Sequence, residues 1–146
     1  MDEKRKVLIL CTGNSARSQM GEGLLRNMTG DGWKVESAGT KPVGLNPLAV
    51  EAMKEVGIDI SQQRSKPVSE FDGKKFDFVI TVCDSAAESC PVFPNAPQRI
   101  HWSLPDPAAM QGTHEEKLAA FRMVRERLRK RLAEWLAQIS SASQGN

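Results

Sequence analysis

The sequence contains no tyrosine, and its 146 residues include only three cysteines and two histidines. A structural zinc site is not expected, because no Cys-x-x-Cys pair occurs and the histidines are limited to His101 and His114. An odd cysteine count also argues against a secreted disulfide framework and favours reactive thiols. We therefore predict no metal and no bound cofactor.

Long apolar runs and a strong net charge are missing as well. The apolar run at residues 7–11 is too short for a signal peptide, and no stretch approaches the roughly 20 apolar residues of a membrane span. A formal net charge of +2 is too small to indicate nucleic acid or membranes as partners. We expect a cytoplasmic protein, with one domain over residues 1–146 and a disordered tail over about 141–146.

Short apolar segments alternate with segments of helical periodicity. Four segments are typical of strands, the last of them an edge strand: residues 6–11, 33–37, 76–82 and 98–102. Three segments have the apolar spacing of helices, and a fourth is a short helix or loop: residues 18–28, 47–56, 118–139 and 85–90. Asn46 and Gly57 are the predicted start and stop signals of the second helix. The alternation predicts an α/β fold with a mostly parallel sheet.

The segment between the first strand and the first helix carries the most informative pattern, a cysteine and an arginine separated by five residues. A helix N-terminus offers unpaired N–H groups and a positive dipole end, so it binds anions. Gly13 and Asn14 suit the left-handed backbone that is needed to wrap successive amides around one tetrahedral oxyanion. The predicted oxyanion-binding residues are Thr12, Gly13, Asn14, Ser15, Ala16, Arg17 and Ser18.

The same positive field acts on Cys11. Arg17 presents a planar guanidinium that matches two oxygens of an anion. The helix end and the arginine favour the thiolate of Cys11, which is the nucleophilic form, and the hydroxyl of Ser15 or Ser18 is expected to donate to that sulfur. A lone cysteine at a strand end would be interpreted as a small buried apolar residue, but the spacing predicts a nucleophile that attacks the bound oxyanion.

The segment 11–18 resembles the signature loop of the low-molecular-weight protein tyrosine phosphatase superfamily. That resemblance implies a three-layer single catalytic domain, with a four-stranded parallel sheet flanked by helices and the loop after the first strand. It also implies an aspartic acid in a downstream Asp-Pro pair, matched here by Asp106 and Pro107, which protonates the leaving oxygen. An isolated Asp-Pro pair is typical of a turn, but the upstream loop favours the catalytic interpretation.

Further segments closely resemble the thioredoxin-coupled arsenate reductases, which share that fold and add two cysteines. The matching stretches are residues 11–20, 36–39, 44–47, 55–61, 81–84, 89–91 and 106–108. Three departures from the phosphatase pattern point the same way. Gln19 stands where those phosphatases usually have proline, Ala108 and Ala109 follow the Asp-Pro pair where aromatic residues are common, and no tyrosine is available to hold a phosphotyrosine ring.

The resemblance implies a relay of three thiols. Cys11 attacks arsenate while Asp106 assists the loss of water or hydroxide, and Cys83 then attacks Cys11, which releases arsenite and leaves a Cys11–Cys83 disulfide. Cys90 attacks Cys83 and moves the disulfide to Cys83–Cys90, which thioredoxin or a similar dithiol protein reduces. The implied partners are arsenate, with phosphate or sulfate as mimics, and the dithiol protein. A monomer is expected.

Simple geometry limits how the relay works. Cys11 and Cys83 both follow predicted parallel strands, so they meet at one sheet edge if those strands are neighbours. Cys83 and Cys90 are seven positions apart, which is about 10 Å of helical rise, whereas a disulfide needs Cα atoms within about 7 Å. Segment 83–90 is therefore predicted to bend or unwind during the cycle. Without the family context, Cys90 would equally be interpreted as a buried structural thiol.

Some members of that family hold a potassium ion behind the loop. The resemblance matches its ligands to Asn14, Glu22 and Ser37, with Lys66 at the position of a further acidic ligand. We expect the Lys66 ammonium to take the place of the cation, so that no potassium is required. An exposed and solvated Lys66 is the alternative.

Two other functions remain open from the sequence. A phosphatase acting on small phosphomonoesters or phosphotyrosine would need Cys11, Arg17 and Asp106 but neither of the other cysteines. A non-catalytic module that only binds or senses an oxyanion is disfavoured, because binding alone needs no thiol and no acid.

Overall fold

The chain folds around a parallel sheet. A computed structural model describes residues 4–88, 90, 93–94 and 97–144. Within them the strands are β1 (Arg5–Cys11), β2 (Trp33–Gly39), β3 (Phe78–Thr81) and β4 (Gln98–His101). The α-helices are α1 (Arg17–Thr29), α2 (Pro47–Lys54), α3 (Asp84–Glu88) and α4 (His114–Gln144), and short 3-10 turns occupy Gly30–Gly32, Val68–Phe71 and Pro107–Ala109.

The strand order is β2-β1-β3-β4, and every pairing is parallel. This confirms the predicted four-stranded parallel sheet with a fourth strand at its edge. Residues 7–11 of β1 are all buried. Because successive side chains of a strand point to opposite faces, both faces of β1 are covered, as in a sheet with helices on each side.

The long helix α4 packs its apolar stripe onto this core. Its buried side chains recur at helical spacing: Leu118, Phe121, Val124, Leu128, Leu132 and Trp135. Trp135 meets Trp33 and Phe78 edge-on, with ring centroids 5.7 and 5.0 Å away, at the amino end of the sheet. An apolar cluster therefore closes the end of the sheet opposite to the predicted loop.

Local signals set the bounds of α2. The Asn46 side chain accepts a hydrogen bond from Leu48 N–H at 2.8 Å, and Pro47 is the first helical residue. The chain leaves the helix at Gly57, which has a φ of 79°. The predicted start and stop signals of this helix are confirmed, although α2 itself ends at Lys54.

The expected disordered tail over about 141–146 is wrong for residues 141–144, because α4 continues to Gln144. Alanine and glutamine are good helix formers, and Ile139 still packs against the core one turn earlier. Residues 145–146 lie outside the described residues. No helix in the described part of the chain has the length and apolar character needed to cross a membrane.

Candidate active site

The predicted loop joins the end of β1 to the start of α1, at the carboxyl edge of the sheet. Because β3 pairs with β1, Cys83 comes to the same edge as Cys11, which confirms the predicted strand neighbours. The hydroxyl of Thr12 lies 3.3 Å from Cys83 Sγ, so a single loop residue connects the backbone of Cys11 with the second thiol.

The carbonyl groups of the loop are held by the surrounding protein. The oxygens of residues 11, 12, 13 and 15 accept hydrogen bonds of 2.8–3.3 Å from backbone amides of the segment 40–46. The Asn14 carbonyl accepts from the Gln19 side chain at 3.0 Å. In a trans peptide the next N–H points away from the carbonyl oxygen. The amides of residues 12–16 are therefore turned toward the opposite side, as the predicted oxyanion-binding row requires.

Cys11 is only 2% exposed, and its sulfur lies against two hydrogen-bonding groups. The backbone N–H of Asn14 donates to Sγ at 3.2 Å, and the Ser18 hydroxyl lies 2.8 Å from it. Ser18 Oγ accepts from Asn14 Nδ2 at 2.7 Å, so its own hydrogen can be donated to the sulfur. These two groups hold the sulfur of the predicted nucleophile in place. Between the two hydroxyls predicted for this role, the geometry favours Ser18.

Asn14 is the centre of a buried network behind the loop. Its backbone has a φ of 45°, the left-handed conformation expected from the sequence, whereas Gly13, for which the same was expected, does not have a positive φ. Besides Ser18, Nδ2 donates to Ser37 Oγ at 3.0 Å, and that hydroxyl donates to Glu22 Oε1 at 2.6 Å. Oδ1 accepts from the backbone N–H of Lys66 at 2.8 Å. Protein groups thus hold the loop in shape before any anion binds.

The network ends on a partly buried charge cluster, in which Glu22 and Lys66 are the buried members. Lys66 is 5% exposed, so the alternative of a solvated lysine is wrong. Its Nζ lies 3.5 Å from Glu36 Oε1 and 3.9 Å from Glu22 Oε1, while Arg26 reaches Glu22 Oε2 at 3.0 Å. Burial raises the pKa of Glu22, and the Ser37 hydrogen bond and the charges of Lys66 and Arg26 oppose that rise.

A potassium ion does not fit this set of residues. Asn14 Oδ1 and Glu22 Oε1 already accept hydrogen bonds, and the Lys66 ammonium lies within 4 Å of both carboxylates of the cluster. Among the residues that the structure describes, no group of three or more His, Cys, Asp or Glu side chains is arranged to hold a metal ion.

Gln19 is a positioning residue that the sequence analysis noted only as a departure from proline. It is fully buried, and its Nε2 donates to the carbonyls of Asn14 and Arg64, each at 3.0 Å. Its Oε1 accepts from Gln63 Nε2 at 2.8 Å. A proline at this position could make none of these bonds. The glutamine therefore connects the loop to the segment that carries Lys66.

Arg17 contacts the segment that carries the predicted acid. Its NH1 donates to the Leu104 carbonyl at 3.0 Å. Asp106, two residues further along, is exposed, and its side chain accepts from Ala108 N–H at 3.0 Å. The Asp-Pro pair therefore forms a capped turn, and Arg17 ties the start of that turn to the loop. The general-acid role of Asp106 remains a prediction.

The third thiol lies beyond a short helix. Cys83 is buried and precedes α3, and its carbonyl accepts from Ala87 N–H at 3.2 Å. Cys90 is partly buried, and none of the three cysteines forms a disulfide. Burial raises the pKa of the Cys90 thiol, and the charge of Arg99 opposes that rise. Residues 84–88 between the two thiols are helical, and the rearrangement of segment 83–90 remains a prediction.

Comparison with known proteins agrees with this geometry. The low molecular weight phosphotyrosine protein phosphatase family matches residues 6–144. An arsenate reductase of Bacillus subtilis (strain 168) is 50% identical over 133 residues, 91% of this chain and 96% of that protein.

Two solved structures are similar as well. "An arsenate reductase in oxidized state" has a TM-score of 0.78 at 33% identity, covering 92% of this chain and 98% of that one. A thioredoxin-dependent arsenate reductase of Corynebacterium glutamicum has a TM-score of 0.74 at 26% identity, covering 97% of this chain and 64% of that one. The chain belongs to the low molecular weight phosphotyrosine protein phosphatase family and, within it, to the branch of the arsenate reductases.

Proposed function

We propose that this protein reduces arsenate to arsenite through a relay of Cys11, Cys83 and Cys90, with an external dithiol protein as the source of electrons. The observation that carries the proposal is the meeting of two thiols at one sheet edge. Cys11 lies in an anion-binding loop, and Thr12 of that loop touches Cys83 Sγ. A phosphatase needs the first thiol but has no use for the second.

The first step uses the loop. The amides of residues 12–18 and the Arg17 guanidinium bind arsenate, and Cys11 attacks the arsenic. A sulfur–arsenic bond forms and one oxygen leaves as water, with a proton supplied by Asp106. The hydrogen bonds from Asn14 N–H and Ser18 keep the attacking sulfur in place.

The second step moves two electrons to arsenic. Cys83 attacks Cys11 Sγ as a thiolate, the sulfur–arsenic bond breaks, and its electron pair stays on arsenic, which leaves as arsenite. Cys90 then attacks Cys83, a Cys83–Cys90 disulfide forms, and Cys11 is released as a thiolate. A dithiol protein reduces this last disulfide by exchange. The C. glutamicum relative, which is named thioredoxin-dependent, supports a thioredoxin-type donor.

The proposal includes the setting of the reaction. We place it in the cytoplasm, in a monomer whose residues 1–146 act as one catalytic domain, with neither nucleic acid nor membrane as a partner. Arsenate is the substrate. Phosphate and sulfate are expected to compete with it for the loop, because they have the same tetrahedral shape as arsenate.

The test is a coupled assay of NADPH consumption with thioredoxin and thioredoxin reductase, with and without arsenate. The wild type should consume NADPH only with arsenate, and Cys83→Ser and Cys90→Ser should not turn over. Mass spectrometry should find a Cys11–Cys83 disulfide in Cys90→Ser after one turnover. The proposal fails if no dithiol donor supports turnover while an aryl phosphate is hydrolysed equally by all three proteins.

Weak phosphatase activity is a second candidate, favoured by the fit of the loop and Arg17 to any tetrahedral dianion. Because this activity uses only the first thiol, Cys83→Ser should retain it fully while losing arsenate reduction.

A further inference from the structure

A histidine of the edge strand connects the relay segment, residues 83–90, to the sheet. His101 Nε2 lies 2.8 Å from Asp84 Oδ1, and its Nδ1 lies 2.7 Å from Thr81 Oγ1. A neutral imidazole satisfies both contacts at once, with Nε2–H donating to Asp84 and Nδ1 accepting from the threonine hydroxyl. The side chains of His101 and Asp84 are 38% and 73% exposed, so the core does not need this contact for its packing.

Asp84 is placed where the relay segment begins. It follows Cys83 directly and is the first residue of α3. The chain before it is fixed, because Val82 N–H donates to the Leu10 carbonyl at 2.9 Å. The hydrogen bond from His101 and, to a smaller extent, the one from Ser103 hold the pKa of Asp84 below its usual value. The carboxylate is therefore anchored from β4 and from the chain that follows it.

The edge strand also faces the other end of the relay segment. Arg99 and His101 are two positions apart on β4, so their side chains leave the same face of the strand. The charge of Arg99 acts on the Cys90 thiol. One face of β4 therefore lies beside both ends of the segment that must rearrange.

The proposed Cys83–Cys90 disulfide requires that rearrangement. Residues 84–88 are helical and lie between the two cysteines; a helix rises about 1.5 Å per residue, whereas the Cα atoms of a disulfide lie within about 7 Å. Since Val82 is tied to β1, the first backbone free to turn is that of Cys83 and Asp84. A rotation there changes the position of the Asp84 carboxylate relative to the imidazole, which belongs to β4.

We propose that the His101–Asp84 pair is a latch that holds the relay segment in its dithiol conformation and opens when the Cys83–Cys90 disulfide forms. The inference rests on the proposed relay, and it makes His101 a positioning residue for the second half of the cycle. An interaction that exists only in the dithiol form must shift the thiol–disulfide equilibrium toward the dithiol. Removing it must shift the equilibrium toward the disulfide.

The test measures that equilibrium in the full chain carrying Cys11→Ser, so that only Cys83 and Cys90 can pair. The protein is equilibrated in buffers of reduced and oxidised dithiothreitol, the thiols are alkylated, and the disulfide fraction is read by mass spectrometry. In this background His101→Ala should move the equilibrium about two- to fivefold toward the disulfide, the range expected for an exposed pair. The double variant with Asp84→Ala, which removes the acceptor, should add nothing beyond Asp84→Ala alone.

The matched control is His114→Ala, which breaks another exposed histidine–carboxylate pair, with Glu51 at 3.1 Å, between α4 and α2. It should leave the equilibrium unchanged. If His101→Ala moves the equilibrium no further than His114→Ala does, or moves it toward the dithiol, the latch is refuted. If no Cys83–Cys90 disulfide forms at any buffer ratio, the relay itself fails, which is a different result.

Discussion

The loop around Cys11 and the relay segment around Cys83 lie side by side, but different kinds of contact hold them. The loop rests on a fully buried Asn14, and its carbonyls are bonded by segment 40–46 and by Gln19. The relay segment contains a five-residue helix in which only Ala86 is buried, and exposed side chains tie it to β4.

This contrast follows from what each region must do. An oxyanion that changes its charge and bonding is best stabilised by dipoles that are already in position, since those need no reorganisation during reaction. A thiol that must bond first to Cys11 and then to Cys90 has to change its surroundings within each turnover. Buried contacts suit the first task, and weak, exchangeable contacts suit the second.

The largest effect is expected from a substitution of Arg17 in the loop around Cys11. Arg17→Lys keeps the charge but loses the planar fork, both for two anion oxygens and for the Leu104 carbonyl. We expect kcat/KM for arsenate in the coupled assay to fall by about 100-fold or more, the range found when a preorganised donor is removed. Arg122→Lys is the control, because it breaks a forked pair between Arg122 on α4 and Glu55 at the end of α2. It should leave kcat/KM nearly unchanged, and an equal loss in both variants would contradict the assigned role of Arg17.

A smaller effect, on stability, is expected at the base of the same network. Lys66→Met removes the ammonium that lies between Glu22 and Glu36. Where Glu22 is ionised, the free energy of unfolding should fall by about 2–3 kcal/mol. This is less than the loss expected for a fully broken buried pair, because Arg26 still contacts Glu22. Burial already raises the pKa of Glu22 in the folded state, and losing Lys66 raises it further. A raised carboxyl pKa favours the folded state at low pH, and that contribution is lost as the pH rises through the folded-state pKa. The loss in the free energy of unfolding should therefore be larger at pH 8 than at pH 5.

Urea denaturation at the two pH values measures this difference. Lys74→Met is the control, since Lys74 lies over the same Phe71 ring as Lys66 but is exposed. Its cost should be small and independent of pH. A pH-independent loss in Lys66→Met would mean that Lys66 stabilises by packing rather than by its charge.

Exchanging sodium chloride for potassium chloride should leave the kcat of the wild type unchanged, because the residues around Lys66 do not fit a potassium ion.

The sequence predicted features that depend on neighbouring residues better than features that depend on distant ones. The buried strand before Cys11, the left-handed Asn14 and the Asn46 cap all follow from local signals, and the structure confirms each of them. Gln19 and His101 derive their roles from partners far along the chain, and the role of Lys66 was predicted only through the family resemblance. Lys66 meets a carboxylate 30 positions away and Gln19 a carbonyl 45 positions away, so no periodicity or spacing points to them.

The end of α4 and the hydrogen-bonding partners of the loop carbonyls were not predicted, for related physical reasons. The composition of residues 141–144 suggested disorder, but a helix already anchored by Leu132, Trp135 and Ile139 extends with little cost per residue. The segment 40–46 has no regular structure of its own, and its function as the hydrogen-bonding partner of the loop is visible only once β2 lies beside β1. Gly39 allows that approach, because a Cβ there would lie 2.5 Å from the Thr12 carbonyl oxygen.

The smallest effect is expected from weakening the helix α3 in the relay segment. Ala87→Gly should weaken α3 by about 1 kcal/mol in the dithiol form, because glycine loses more backbone entropy in a helix than alanine does. If α3 unwinds when Cys83 and Cys90 bond, that cost is absent from the disulfide form. The thiol–disulfide equilibrium in the Cys11→Ser background should then move up to about fivefold toward the disulfide. Ala133→Gly, at an exposed position of α4, weakens both redox forms equally and should leave the equilibrium in place. Equal equilibria in the two variants would mean that α3 stays helical through the cycle, and the contrast between a rigid loop and a rearranging segment would then have to be abandoned.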